Sequence, residues 1–210
     1  MYNKVNKIKG YLMIPSPILT NKPDNLVFLD IETTGLSMEH GARTCEIAML
    51  KVSGDTETEF CTLVNPGCPI PEFSSNIHGI TTEMVKDAPK FCDIAKDISN
   101  FIEGFVLVCH NAYFDLNFVS KEIMESGINS PEMYFLDTLI ISRQYFSFES
   151  NKLGDIARIL DIEVNQAHRA MADVLTMKSI SKYLFANLYR KGIDTLEPSY
   201  FEQALNIKKK

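Results

Sequence analysis

The run Leu26-Val27-Phe28-Leu29-Asp30-Ile31-Glu32 constrains this chain more than any other segment. Side chains alternate faces along a strand, so Leu26, Phe28, Asp30 and Glu32 share one face and Val27, Leu29 and Ile31 the other. Both faces begin apolar, which predicts a central strand covered on both sides. Two carboxylates then occupy a face that begins as core, about 7 Å apart at ~3.3 Å per residue. Like charges beside a hydrophobic core are costly unless something neutralises them. Either the strand ends at Asp30 and both acids reach water, or a cation sits between them.

The same anomaly recurs twice. Periodicity predicts a helix over 112–126, closed by Gly127, with Phe118, Val119 and Ile123 on its apolar stripe. Asp115 lies on that stripe near the helix N-terminus, where the dipole favours an anion; a first-turn acid stabilising its own helix is the plainer reading. A second helix over 170–189 carries Ala170, Val174, Met177, Ile180 and Leu184 on one stripe, and Asp173 shares it. His168 precedes this helix by two residues, about 7.5 Å from Asp173 if the spacing is helical, so it can stand beside a metal without ligating it. Four acids on apolar faces of three elements can converge where helices pack on a sheet. Oxygen-only ligands suit Mg²⁺ or Mn²⁺ rather than zinc. Two such ions about 3.5–4 Å apart stabilise the attacking and leaving oxygens of a phosphodiester.

Around these elements the chain reads as one α/β unit. Strands are expected at 26–32, 44–52, 57–64, 105–109 and 134–136, with a turn at Ser53-Gly54-Asp55 and a proline-rich loop over 65–71. Helices are expected at 91–102, 112–126, 153–160 and 170–189, and Asp137 is placed to cap a further helical stretch. The order predicts a mixed five-stranded sheet flanked by helices. The expected division is an N-terminal extension over 1–24, a domain over 25–190 and a loosely attached tail over 191–210 that ends in three lysines.

Composition narrows the function classes. The chain has 210 residues, enough for one well-packed core without disulfide or metal staples. Its five cysteines form no CxxC pair, which predicts reduced thiols and a cytoplasmic location. The apolar run Tyr11–Ile14 is broken by Pro15 and Pro17, and no stretch approaches the ~20 apolar residues of a membrane helix. A net charge of −6 argues against broad phosphate neutralisation, but not against an enzyme that grips one strand end with the help of cations.

Three segments carry a family resemblance. Phe28-Leu29-Asp30-Ile31-Glu32-Thr33-Thr34-Gly35-Leu36 resembles the first exonuclease motif of the DnaQ-like (DEDDh) family. His110-Asn111-Ala112-Tyr113-Phe114-Asp115 resembles the second, and His168-Arg169-Ala170-Met171-Ala172-Asp173 the third. Order and spacing both match, and three motifs in order are far more specific than one. The stretches Val64–Gly67, Ile77–Thr81 and Leu136–Thr138 are also similar, so the resemblance covers roughly residues 25–188. Within the family the chain looks most like the proofreading epsilon subunit of bacterial DNA polymerase III and related polymerase-associated domains.

This resemblance implies a ribonuclease H-like fold, metal ligation by Asp30, Glu32, Asp115 and Asp173, and His168 as general base. A sister class carries tyrosine four residues before the last aspartate; here that position is Arg169. The implied reaction is 3′→5′ hydrolysis to 5′-mononucleotides with two divalent cations. Single-stranded DNA is the favoured substrate and a DNA polymerase subunit the expected partner. An RNA-trimming exonuclease of the same family and a silent nucleic-acid-binding module are the alternatives. Thr33 and Leu36 are expected at the terminal nucleotide, Leu36 as a wedge between the last two bases. Asn111 either bonds substrate or caps its helix, Phe114 either stacks on a base or belongs to the core, and His78 is either a substrate contact or a turn residue. Gln203–Ile207 faintly resembles a sliding-clamp peptide, against the plainer reading of an amphipathic tail.

Overall fold

The computed structural model describes residues 7–8, 11–12, 25–164, 167–193, 196 and 198–201. Two short strands, β1 (Lys7–Ile8) and β2 (Tyr11–Leu12), form a hairpin of their own. The main sheet is built from β3 (Leu26–Thr33), β4 (Thr44–Ser53), β5 (Thr56–Leu63), β6 (Val106–Cys109), β7 (Tyr134–Asp137) and β8 (Ser199–Tyr200). Its order is β5-β4-β3-β6-β7-β8, parallel at β3/β6 and β6/β7 and antiparallel elsewhere. The five expected strands are present, and the two-residue β8 adds an edge.

Alternation along β3 divides the core as its sequence dictates. Leu26 and Phe28, with Ala48 and Leu50 of β4, pack under α5 (Thr138–Tyr145), α6 (Leu153–Ile159) and α7 (Ala170–Arg190). Val27, Leu29 and Ile31 pack under α3 (Phe91–Ile102) and α4 (Ala112–Glu125). Leu26, Phe28 and Leu29 are fully buried, each worth about 1.5–3 kcal/mol. Asp30 and Glu32 therefore continue the face that α7 covers.

Two helices were not expected: α1 (Glu72–His78) and α2 (Thr82–Val85). They are short. Helix α1 buries only Ser74 and His78 while Phe73 and Ile77 face outward, so it has no apolar stripe to read. Ser199 and Tyr200 pair with β7, Phe201 is buried against the α4 side, and its N–H donates to Met133 O at 2.9 Å. The stretch 203–207 lies outside the described residues. All five cysteines are free, and among the described residues no helix is long and apolar enough to cross a membrane.

Candidate active site

The site begins where β3 outruns its neighbour. Strand β6 pairs with β3 only as far as Phe28, so the later backbone of β3 has no strand on that side. Asp115, in the first turn of α4, stands close to this stretch: the backbone N–H of Ile31 eases the charge of its buried carboxylate. On the other side, β4 runs antiparallel with Glu46 directly opposite Glu32. The register then shifts between Glu32 and Thr33, a bulge that redirects the chain into the loop carrying Leu36.

Carboxylate oxygens of Asp30, Glu32 and Asp173 lie within 4.8 Å of one another. Asp115 falls outside this triangle, yet it is the charge that acts most strongly on Asp30. Burial, then Asp115, Glu32, Asp173 and Glu46, holds the Asp30 carboxyl well above the usual range. Glu32 is pushed up to about 8 by burial and by Asp173 and Glu46, against the relief of the Arg169 guanidinium. Asp173 is raised by burial, against the nearby His168 charge and a hydrogen bond from the His168 N–H. So crowded a set of acids cannot ionise fully near neutrality without a counter-charge. The donor set is all oxygen, which fits a hard divalent cation.

A cleft of about 630 Å³ opens beside the triangle, lined by Asp30, Asp173, His168, His110, Arg143 and Lys152 among others. His168 is exposed and takes the left-handed conformation, φ +63°. His110 is structural: its ring bridges the Thr138 hydroxyl at 2.8 Å and the Asn151 carbonyl at 2.9 Å.

The expected nucleotide contacts divide into two groups. Leu36 is 85% exposed in the loop that follows β3. Thr33 is buried, its hydroxyl donating to Gly35 O at 2.7 Å, which fixes the loop before Leu36. Asn111 is exposed and left-handed, φ 77°, and makes no cap. The capping role belongs instead to Asp137 of β7, whose oxygens accept from the N–H groups of Asn111 and Ala112 as well as from Leu139 and Ile140. Phe114 is half-buried and packs on Phe118, ring centroids 5.1 Å apart.

His78, expected as either a substrate contact or a turn residue, ends α1. It is buried, its Nδ1 accepts from the Ile80 N–H at 3.0 Å, and the Thr33 carbonyl also accepts from the ring. It is a strut between α1 and the strand end. Glu46 is a further acid of the site: it shares a face with Ala48, Leu50 and Val52 and repeats the anomaly of Asp30. Arg169, which stands where the sister class has tyrosine, grips Glu46 with its guanidinium.

Comparisons with known proteins point to one family. The family profile described as Exonuclease matches residues 27–180. The chain is 35% identical over 149 residues to the 3′-5′ exonuclease DinG of Bacillus subtilis, covering 70% of this chain and 16% of that protein. It is 34% identical over 180 residues to a DNA polymerase III subunit epsilon-like protein of Rhodobacter capsulatus, covering 82% and 25%. A DNA polymerase III PolC-type of Caldanaerobacter subterraneus is 32% identical over 213 residues, covering 96% and 15%. The chain thus spans a quarter or less of the length of these relatives. Among solved structures, exonuclease I superposes with a TM-score of 0.69 at 17% identity, covering 80% of this chain and 43% of that one. Exonuclease X in complex with 5′ overhanging duplex DNA gives 0.59 at 22%, covering 80% and 93%. These likenesses identify the fold as ribonuclease H-like. With the motifs, the triangle of acids and the family profile in agreement, the chain belongs to the DnaQ-like exonuclease family.

Proposed function

We propose that the chain is a 3′→5′ exonuclease that releases 5′-mononucleotides, with single-stranded DNA as its substrate. The observation that carries this reading is the approach of Asp30, Glu32 and Asp173 within 4.8 Å on a cleft that His168 also lines. Asp30, Glu32 and Asp173, with Asp115 behind Asp30, would hold two divalent cations, Mg²⁺ or Mn²⁺. When bound, these ions lower the pKa of an attacking water and offset charge on the leaving 3′ oxygen.

The remaining steps belong to the chain itself. The His168 ring accepts the proton of the attacking water and, being exposed, returns it to solvent. The His168 N–H, by donating to Asp173, ties the base to a ligand of the same site. Leu36 separates the last two bases, and the exposed Asn111 bonds the terminal nucleotide. Relatives named as DNA polymerase III proteins favour DNA over RNA and a polymerase as partner.

The test is nucleotide release from single-stranded DNA and from RNA, labelled in parallel at the 5′ and 3′ ends, with Mg²⁺, Mn²⁺ or chelator. Expected are 5′-mononucleotides and a ladder shortening from the 3′ end, both abolished by chelator. Faster turnover of RNA would reassign the substrate. No release from either polymer with any cation sinks the reading.

A further inference from the structure

We propose that Glu46 and Arg169 are positioning residues: the buried Glu46 carboxylate grips the first turn of α7 and so fixes where His168 meets the acids of β3. The inference rests on the nuclease reading above and adds two residues to it.

Glu46 is 3% exposed, and both of its oxygens are engaged. Oε1 accepts from Arg169 Nη2 at 2.6 Å and Nε at 3.2 Å; Oε2 accepts from Nε at 3.1 Å and from the backbone N–H of Ala170 at 3.0 Å. The carboxylate is thus both an ion-pair partner and the acceptor for an otherwise unpaired N–H at the start of α7. Two consecutive residues are pinned in this way: the Arg169 side chain holds Glu46, and the Ala170 N–H holds Glu46.

The pinning has something to restrain. His168 sits at φ +63°, a conformation that non-glycine residues keep only where the surroundings enforce it. Its ring is exposed, and its charge acts on the Asp173 carboxylate beside it. Without the Glu46 grip the kink can relax to ordinary backbone and carry the ring away from Asp30 and Asp173. The planar fork of arginine is essential here, because lysine supplies the charge but cannot bond two carboxylate oxygens with fixed geometry.

The experiment compares Glu46→Gln, Arg169→Lys and His168→Ala with the parent chain, all checked for folding by thermal unfolding. Glu46→Gln and Arg169→Lys are expected to lower kcat by about 10–100-fold while KM for the oligonucleotide stays within about threefold. Placed in the His168→Ala background and read by single turnover, they should cause little further loss, because they act through the same residue. Independently of turnover, the His168 ring resonances of ¹³C-histidine-labelled protein, assigned by their disappearance in His168→Ala, should shift and broaden in both variants while those of His110 do not. A parent-like kcat in Arg169→Lys, full multiplicative loss in the His168→Ala background, or an unmoved His168 resonance overturns the positioning role. A parent chain without cation-dependent release, or a fully active His168→Ala, instead refutes the nuclease reading or its base, and the resonance test still decides the grip.

Discussion

Glu32 and Glu46 stand directly opposite one another across the β3–β4 ladder, and Arg169 pairs with Glu46 while relieving Glu32. Like charges in register normally destabilise a sheet. Here Arg169 satisfies one acid, and under the proposed function a cation would offset the charge of the other together with Asp30 and Asp173.

The pH dependence of stability follows from Glu32. Its carboxyl is held near 8 in the folded chain, against an ordinary value of 4.5. Between those values the folded state binds the proton that the unfolded state has lost, so stability falls as pH rises. His78 and His110, both lowered by burial, act below about 6.5 with the opposite slope. The Tm in chelator should therefore decline from pH 6.5 to 8.5, and the gain on adding Mg²⁺ or Mn²⁺ should grow over the same interval. A cation increment that is flat with pH would contradict the crowding of these acids.

Removing a charge from the triangle should separate stability from activity. Asp30→Asn relieves repulsion against Asp115, Glu32 and Asp173. In chelator at pH 8 its Tm should rise by about 3 °C, roughly 1 kcal/mol for a chain of this size. Its nuclease rate should fall by at least ~10³-fold. Thermal unfolding and a release assay on the same preparation check both; a destabilised Asp30→Asn in chelator would argue against the electrostatic account.

His168→Ala should lose about 10²–10⁴-fold in kcat, the usual contribution of a general base. Its cation affinity, measured by calorimetry with Mn²⁺, should change little, because the ring is not one of the triangle's donors. A large loss of affinity would recast His168 as a ligand.

Glu122 supplies a contrast. This buried acid on α4 accepts from the Thr44 hydroxyl at 2.5 Å and the Thr44 N–H at 3.3 Å, tying α4 to β4. Glu122→Ala strands both donors at a cost of about 1–3 kcal/mol, or roughly 3–10 °C in Tm. At a temperature where the variant remains folded, kcat should stay within about threefold of the parent.

Leu36, at 85% exposure, makes the opposite prediction. Leu36→Ala should leave Tm within about 1 °C, as exposed positions usually do, but raise KM for a single-stranded end about tenfold. Equal KM values for parent and variant would remove its role as a wedge.

The sequence by itself determined the central strand, the two faces of the core and the four acids out of place on apolar faces. These follow from periods of two and 3.6, which are local properties of the backbone. The residues around 25–188 also carried the family, because the chemistry needs those side chains in that order. Only the tertiary structure decided that Asp30, Glu32 and Asp173 form the tight triangle while Asp115 stands behind it, that Glu46 grips Arg169, and that His78 is a strut rather than a contact. Those facts depend on where β6 stops, on the bulge after Glu32 and on a pairing 123 residues apart in sequence. Local pattern says which way a side chain points from its own element, and packing alone says what it meets.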